Sequence, residues 1–177
     1  MVRAVIITAQ GFQDEEVIYP YYRLLEAGYQ VDLATPGGTV VHGKYGVPAR
    51  ANKATEDLSA DDYDLVLLPG GFEAPDRLRL RPEVIDLVRN MNAQNKVIAA
   101  ICHGPWVLLT ADIVKGRKVT AYWSIETDVR NAGADYQHKA PVVVDGYLIT
   151  SPHYNNNPEF MQAVVRVMDE YQVQTKG

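Results

Sequence analysis

Apolar runs and amphipathic stretches alternate along this chain. "AVIIT" (4–8) is continuously apolar and predicts a buried strand. Through residues 14–27, Val17, Ile18, Tyr21, Leu24 and Leu25 recur at helical spacing, and Gly28 stands at the stop position. Pro20 falls early in this helix, where a lost N–H bond costs least. "YQVDLAT" (29–35) reads as a second strand. "TPGGTVVHGKYGVPA" (35–49) reads as a turn and a small hairpin, with Gly37 and Gly38 supplying permissive backbone.

The alternation continues. "YDLVLLPGG" (63–71) is a buried strand ending in a glycine turn. Residues 82–93 form a helix opened by Pro82, with Val84, Ile85, Leu87, Val88 and Met91 inward. "KVIAAI" (96–101) is the next strand, and a helix begins over Gly104 to Thr110. "KVTAY" (118–122) and "PVVVDGYLIT" (141–150) add strands, the latter with an Asp145-Gly146 hairpin signal. Residues 157–171 close as a helix capped by Asn157, with Phe160, Val164, Val167, Met168 and Tyr171 inward. Strands alternating with helices predict an α/β fold: a doubly wound, mostly parallel sheet covered on both faces, plus the hairpin. Ligands of such sheets sit at the carboxyl ends of strands, where Cys102 and the Gly70-Gly71 turn both fall.

The 177 residues, 47% of them apolar, suit a single domain over 1–177. A net charge of −5 argues against a nucleic-acid surface. No apolar run approaches the ~18 residues of a membrane span. "MVRAVIITAQGFQDEE" reads as a first strand, not a signal peptide. One cysteine excludes an internal disulfide framework, and no Cys/His cluster has zinc spacing. A soluble cytoplasmic protein without metal or cofactor is the expectation.

That one cysteine lies in "AAICHGPWVLL" (99–109), between a buried strand and a helix. Ala100 and Gly104 flank Cys102 two positions away on either side. This Ala-x-Cys-x-Gly pattern is the thiol counterpart of a nucleophile elbow. A turn of this kind lifts the sulfur above the sheet, and the next helix aims its first N–H groups at it, favouring the thiolate. The other reading makes Cys102 a small buried hydrophobe. His103 serves equally as a base or as a cap of the turn. Asp14, Glu15 and Glu16 crowd a helix start as caps would, although a carboxyl beside a thiolate would have to hold a proton. Asp76 among Arg77, Arg79 and Arg81 reads as surface charge, and Tyr122 and Trp123 as core or surface aromatics.

"AAICHGPWVL" closely resembles the nucleophile turn of the ThiJ/PfpI superfamily, in its PfpI-type intracellular protease branch. "GFQDEEVIYPYYRLLEAGYQV" (11–31) resembles that family's first helix. "LVLLPGG" followed by "APDRLR" (74–79) resembles its second loop, and "GRKVTAYWSIETDVRNAGADY" and "VVVDGYLITS" its later strands and helix. The resemblance implies a flavodoxin-like sandwich in dimers or larger rings, such as hexamers. It implies Cys102 as nucleophile and Glu16 as its carboxyl partner. It implies His103 as the neighbouring histidine, oriented by an acid of the adjoining subunit that matches Asp76. Tyr122 would lie near the site, and Gly70 and Gly71 would offer N–H groups to a substrate oxygen. One stretch departs from the family: relatives continue the last strand with Ser-Arg and a proline-acid turn, where this chain has "SPHYNNNPEF" (151–160). There His153 and Tyr154 read as a capped polar loop, a pocket wall or a subunit contact.

Members of this family act as peptidases, cofactor-free glyoxalases, protein deglycases, chaperones or oxidative-stress sensors. A thiolate that forms a hemithioacetal and a carboxyl that shuttles protons suffice for a small dicarbonyl. The expectation is therefore chemistry on reactive aldehydes or their protein adducts, with a PfpI-type peptidase or a non-enzymatic chaperone or redox sensor as alternatives. A glutamine amidotransferase needs a downstream His-x-Glu pair. His138 and His153 are followed at that position by Ala140 and Asn155.

Overall fold

The computed structural model describes residues 1–176. In chain order the elements are β1 (Arg3–Ile7), α1 (Asp14–Glu26), β2 (Gln30–Thr35), β3 (Val41–His42), β4 (Pro48–Ala49), β5 (Lys53–Ala54), β6 (Leu65–Leu68) and α2 (Glu73–Leu78). Then come α3 (Pro82–Ala93), β7 (Val97–Ile101), α4 (Pro105–Thr110), β8 (Lys118–Val119), α5 (Glu126–Asn131), β9 (Asp135–Tyr136), β10 (Val143–Asp145), β11 (Leu148–Ser151) and α6 (Asn157–Lys176). The main sheet runs β10-β11-β7-β6-β1-β2-β5. Every pairing in it is parallel except that of β10 with β11, where Val144 faces Ile149.

All residues of β6 and β7 are buried. Successive strand side chains point to opposite faces, so both faces of the sheet are covered, as the unbroken apolar runs predict. From β1 the chain goes to β2 on one side and later to β6 on the other. The carboxyl ends of β1 and β6 therefore flank a topological switch point, where α/β sheets bind ligands.

Several expected elements take a different form. The 118–122 stretch is a strand only over Lys118–Val119, which pairs with β9 in a separate two-stranded sheet. Beyond it the Tyr122 N–H donates to the Cys102 carbonyl at 2.9 Å, so the chain leaves the strand to fold over the nucleophile turn. "APDRL" is the greater part of helix α2, not a loop. Glu73 sits in its first turn and pairs with Arg77 four residues on, at 2.7 Å. Pro20 is the seventh residue of α1, beyond the first turn that tolerates it best. The hairpin at 35–49 forms as β3 and β4, and Asp145-Gly146 turns β10 into β11 with Gly146 at φ +60°.

Candidate active site

Cys102 follows β7 directly with φ +63°, a left-handed conformation that costs a non-glycine residue ~1 kcal/mol or more. Its amide stays tied to β11 through the Ser151 carbonyl at 2.9 Å. The neighbours have to be small. A Cβ on Gly104 would stand 2.2 Å from the Leu68 carbonyl oxygen and 2.8 Å from that of Ile101, both rigid backbone. Gly104→Ala should therefore cost ~3 kcal/mol or prevent folding. A melting temperature equal to wild type would show that the turn is looser than this packing.

Glu16 enters the site from α1. It is fully buried, on the same helical stripe as Pro20 and Leu24. Its Oε2 accepts the Gly70 N–H at 2.6 Å, and Oε1 is buried without a hydrogen-bond partner among the described residues. A Cβ on Gly70 would lie 2.6 Å from Oε2 and 2.7 Å from Cys102 Cβ. The missing side chain is what lets carboxyl and thiol share this space. Burial raises the Glu16 pKa from 4.5 to about 8, against the opposing Gly70 hydrogen bond. At pH 7 it is a neutral carboxylic acid.

The thiol is not acidified in the way a helix start alone suggests. Burial pushes it up, and an ionised Glu16 pushes it further, while the Gly71 and His103 N–H groups favour its charged form. Helix α4 has only six residues, so its dipole is short. Glu16 and Cys102 are mutually opposed to holding two charges at once, and the carboxyl's proton removes that repulsion.

Adjacent residues do not ordinarily face each other, yet His103 Nδ1 lies 3.3 Å from Cys102 Sγ. The positive φ at Cys102 reverses the chain there, so consecutive side chains converge. The other ring nitrogen, Nε2, is 3.2 Å from Ser124 Oγ. The ring stacks on Tyr122 at 4.9 Å and meets Trp106 edge-on at 5.1 Å. Burial, then the charge of Lys44, lowers its pKa to about 4, leaving a neutral imidazole at pH 7.

The two glycines do not leave a pair of N–H groups free for a substrate oxygen. The Gly70 N–H is held by Glu16, and that of Gly71 faces the sulfur. Asp76 is exposed on α2 and makes no hydrogen bond or ion pair among the described residues. Within this chain it does not reach His103.

A cavity of about 490 Å³ opens over Cys102 and His103. Tyr122, His153 and Tyr154 form one wall, so the divergent loop after β11 lines the site. Gln13, Lys44, Tyr45, Gly71 and Phe72 complete it. Sequence reasoning missed Gln13, Lys44, Tyr45 and Phe72. The loop carrying Lys44 and Tyr45 is positioned by Asp14, which is buried and accepts the Tyr45 and Val47 N–H groups at 2.9 and 3.0 Å. Gly43 beside it has no room for a Cβ, which would stand 2.3 Å from Asp14 Oδ1. Among the described residues no group of three or more His, Cys, Asp or Glu could hold a metal, and no helix is long and apolar enough to cross a membrane.

The pattern of the DJ-1/PfpI family matches residues 2–167. Deglycase PfpI of Pyrococcus furiosus is 36% identical over 166 residues, covering 94% of this chain and 99% of its own. A candidate cysteine protease of Bacillus subtilis, YraA, is 41% identical over 149 residues, 84% of this chain and 86% of its own. The crystal structure of Drosophila melanogaster DJ-1beta shares the fold at a TM-score of 0.88 and 30% identity, covering 93% of this chain and 88% of that one. A flavodoxin-like sheet carrying a cysteine elbow, matched along nearly its whole length, makes this chain a member of the DJ-1/PfpI family.

Proposed function

We propose that the protein is a cysteine-dependent enzyme acting on reactive 2-oxoaldehydes or their early adducts with proteins. The observation that carries this reading is Glu16, a buried carboxyl kept protonated at neutral pH beside the only cysteine. The deglycase name of the Pyrococcus furiosus relative supports it.

The chemistry runs without a redox partner. The Cys102 sulfur adds to the aldehyde carbon as its proton passes to the unprotonated Nδ1 of His103, 3.3 Å away. The Glu16 proton goes to the carbonyl oxygen, giving a hemithioacetal. The Glu16 carboxylate then takes the hydrogen of that carbon as a proton and returns it to the neighbouring carbon, while the hydroxyl proton of the hemithioacetal passes to the ketone oxygen. The aldehyde carbon is oxidised, the ketone carbon reduced, and a thioester of a 2-hydroxy acid results. Water cleaves the carbon–sulfur bond, its hydroxyl staying on the acyl carbon and its other proton restoring Glu16, and the thiol regains its proton from His103. For methylglyoxal the sum is one water in and one lactate out. An Nε2–H donated to Ser124 Oγ is the tautomer that leaves Nδ1 free to accept.

Peptide hydrolysis is the second reading, supported by the YraA relative. Purified protein given methylglyoxal, with lactate followed, and in parallel a fluorogenic peptide, separates the two. Lactate without cleavage supports the first reading, and cleavage without lactate replaces it.

We also propose a cytoplasmic protein, since a lone reduced thiol suits that compartment, and a homo-oligomer in which the partner subunit adds Asp76 to the site. Such an acid would stabilise the imidazolium that forms as His103 takes the thiol proton. Mixing inactive Cys102→Ser with inactive Asp76→Ala, after dissociation and reassembly, should restore activity. No recovery despite verified mixing would count against the shared site.

A further inference from the structure

We propose that His153 supplies the N–H that holds the substrate's carbonyl oxygen while the Cys102 sulfur adds. This rests on the dicarbonyl reading of the site. The need is visible in the turn itself. Gly70 donates to Glu16, which leaves the Gly71 N–H, beside the sulfur, as the one donor of the glycine pair. A second donor in the cavity would complete a pair for an oxygen gaining charge.

His153 stands in the same cavity as Cys102. It precedes the short turn Tyr154–Asn156, and its Nδ1 accepts the Asn155 N–H at 3.2 Å. A ring nitrogen that accepts carries no proton, so the neutral ring holds its hydrogen on Nε2. Partial burial keeps the imidazole below its ordinary pKa range, against a weaker upward pull from Glu15, which supports the neutral form. Nε2 has no partner among the described residues, and it is the polar edge left on a ring that lines the cavity. The ring is held in place by stacking: Tyr154 at 4.0 Å, Trp123 at 5.7 Å and Tyr122 at 6.1 Å between centroids. Tyr122 in turn stacks on His103, so the aromatic row fixes His153 relative to the nucleophile turn. A donor needs this preorganisation to favour the transition state.

In the step itself the sulfur–carbon bond forms and the carbonyl π pair moves onto oxygen. That oxygen rests on His153 Nε2–H and takes its proton from Glu16. His153 keeps its own proton throughout.

Two substitutions separate the donor from the turn. His153→Asn keeps an acceptor where Nδ1 stands but has nothing at the reach of Nε2. His153→Gln places an amide N–H near Nε2 and gives up the Nδ1 contact. Each is compared with wild type for kcat and KM on methylglyoxal, for melting temperature, and for methylglyoxal protection of Cys102 against iodoacetamide. His153→Asn should keep its melting temperature and lose ~100-fold in kcat/KM, the scale of a lost oxyanion donor. His153→Gln should stay within ~10-fold of wild type, since an uncharged donor is retained. The reverse order, or an unchanged Asn variant, overturns the proposal. If wild type is protected by methylglyoxal yet makes no lactate, the functional reading fails alone. The protecting concentration then decides: raised in the Asn variant it supports His153, unchanged it overturns it. Neither lactate nor protection in wild type overturns both.

Discussion

Glu16→Gln should leave a folded protein whose turnover of methylglyoxal is lower by ~100-fold or more, the usual scale for losing a general acid–base group. The amide keeps the shape and an oxygen for the Gly70 N–H, which Glu16 Oε2 now accepts at 2.6 Å. What it cannot do is release and recover a proton. If Glu16 were only a cap of α1, the change would cost at most ~1 kcal/mol and spare turnover. Near-wild-type lactate production would reject the shuttle.

The same variant has a second signature, in stability against pH. Glu16 titrates at 4.5 when unperturbed and at about 8 in the folded chain. Below pH 4.5 both states hold the proton. Between 4.5 and about 8 the folded state holds it and the unfolded chain has lost it, so unfolding releases a proton. Stability from this group is therefore complete below the unfolded value and lost as pH rises through the folded one. At ~1.4 kcal/mol per unit, the loss across the window is ~5 kcal/mol at most. Glu16→Gln has no such proton, so its denaturation midpoint should gain on wild type from pH 5 to pH 8. Parallel profiles would show that the carboxyl is not held neutral. The wild-type rate should likewise fall as pH rises through about 8, as the acid form is lost.

The elements were most legible where local signals agreed with the core. Residues 82–93 carry Pro82 at their start and an apolar stripe, and α3 has those bounds. The elbow was legible because its small neighbours are a steric requirement of the turn. Glu16 was harder to separate from Asp14 and Glu15, since all three suit a helix start. Helix phase carries the missing signal: Glu16, Pro20 and Leu24 fall four apart on the buried face. The orientation of His103 was not legible, because it follows from a positive φ at Cys102 that only the packed turn imposes. Nor was the work of Asp14, whose partners Tyr45 and Val47 lie 31 and 33 residues away. The 118–122 stretch has strand composition, yet the Tyr122 N–H goes to Cys102 and not to a ladder.

Cys102 carries the largest expected loss. Cys102→Ser keeps the turn and its N–H groups but replaces a polarisable sulfur with a hydroxyl of far higher pKa. Lactate production should drop by ~1,000-fold or more, as it does when a covalent nucleophile is removed. Stability should report the elbow separately. At φ +63° any Cβ is strained, so Cys102→Gly should be more stable than Cys102→Ala by ~1 kcal/mol, although glycine has the more flexible unfolded chain. Both variants lack the sulfur and leave Glu16 without its thiol neighbour, so the comparison isolates the backbone. An alanine variant as stable as the glycine one would mean that Cys102 sits in an unstrained turn. The elbow would then not be what holds the sulfur above the sheet. A serine variant retaining wild-type turnover would remove the sulfur from the reaction, and with it the hemithioacetal on which the proposed chemistry depends.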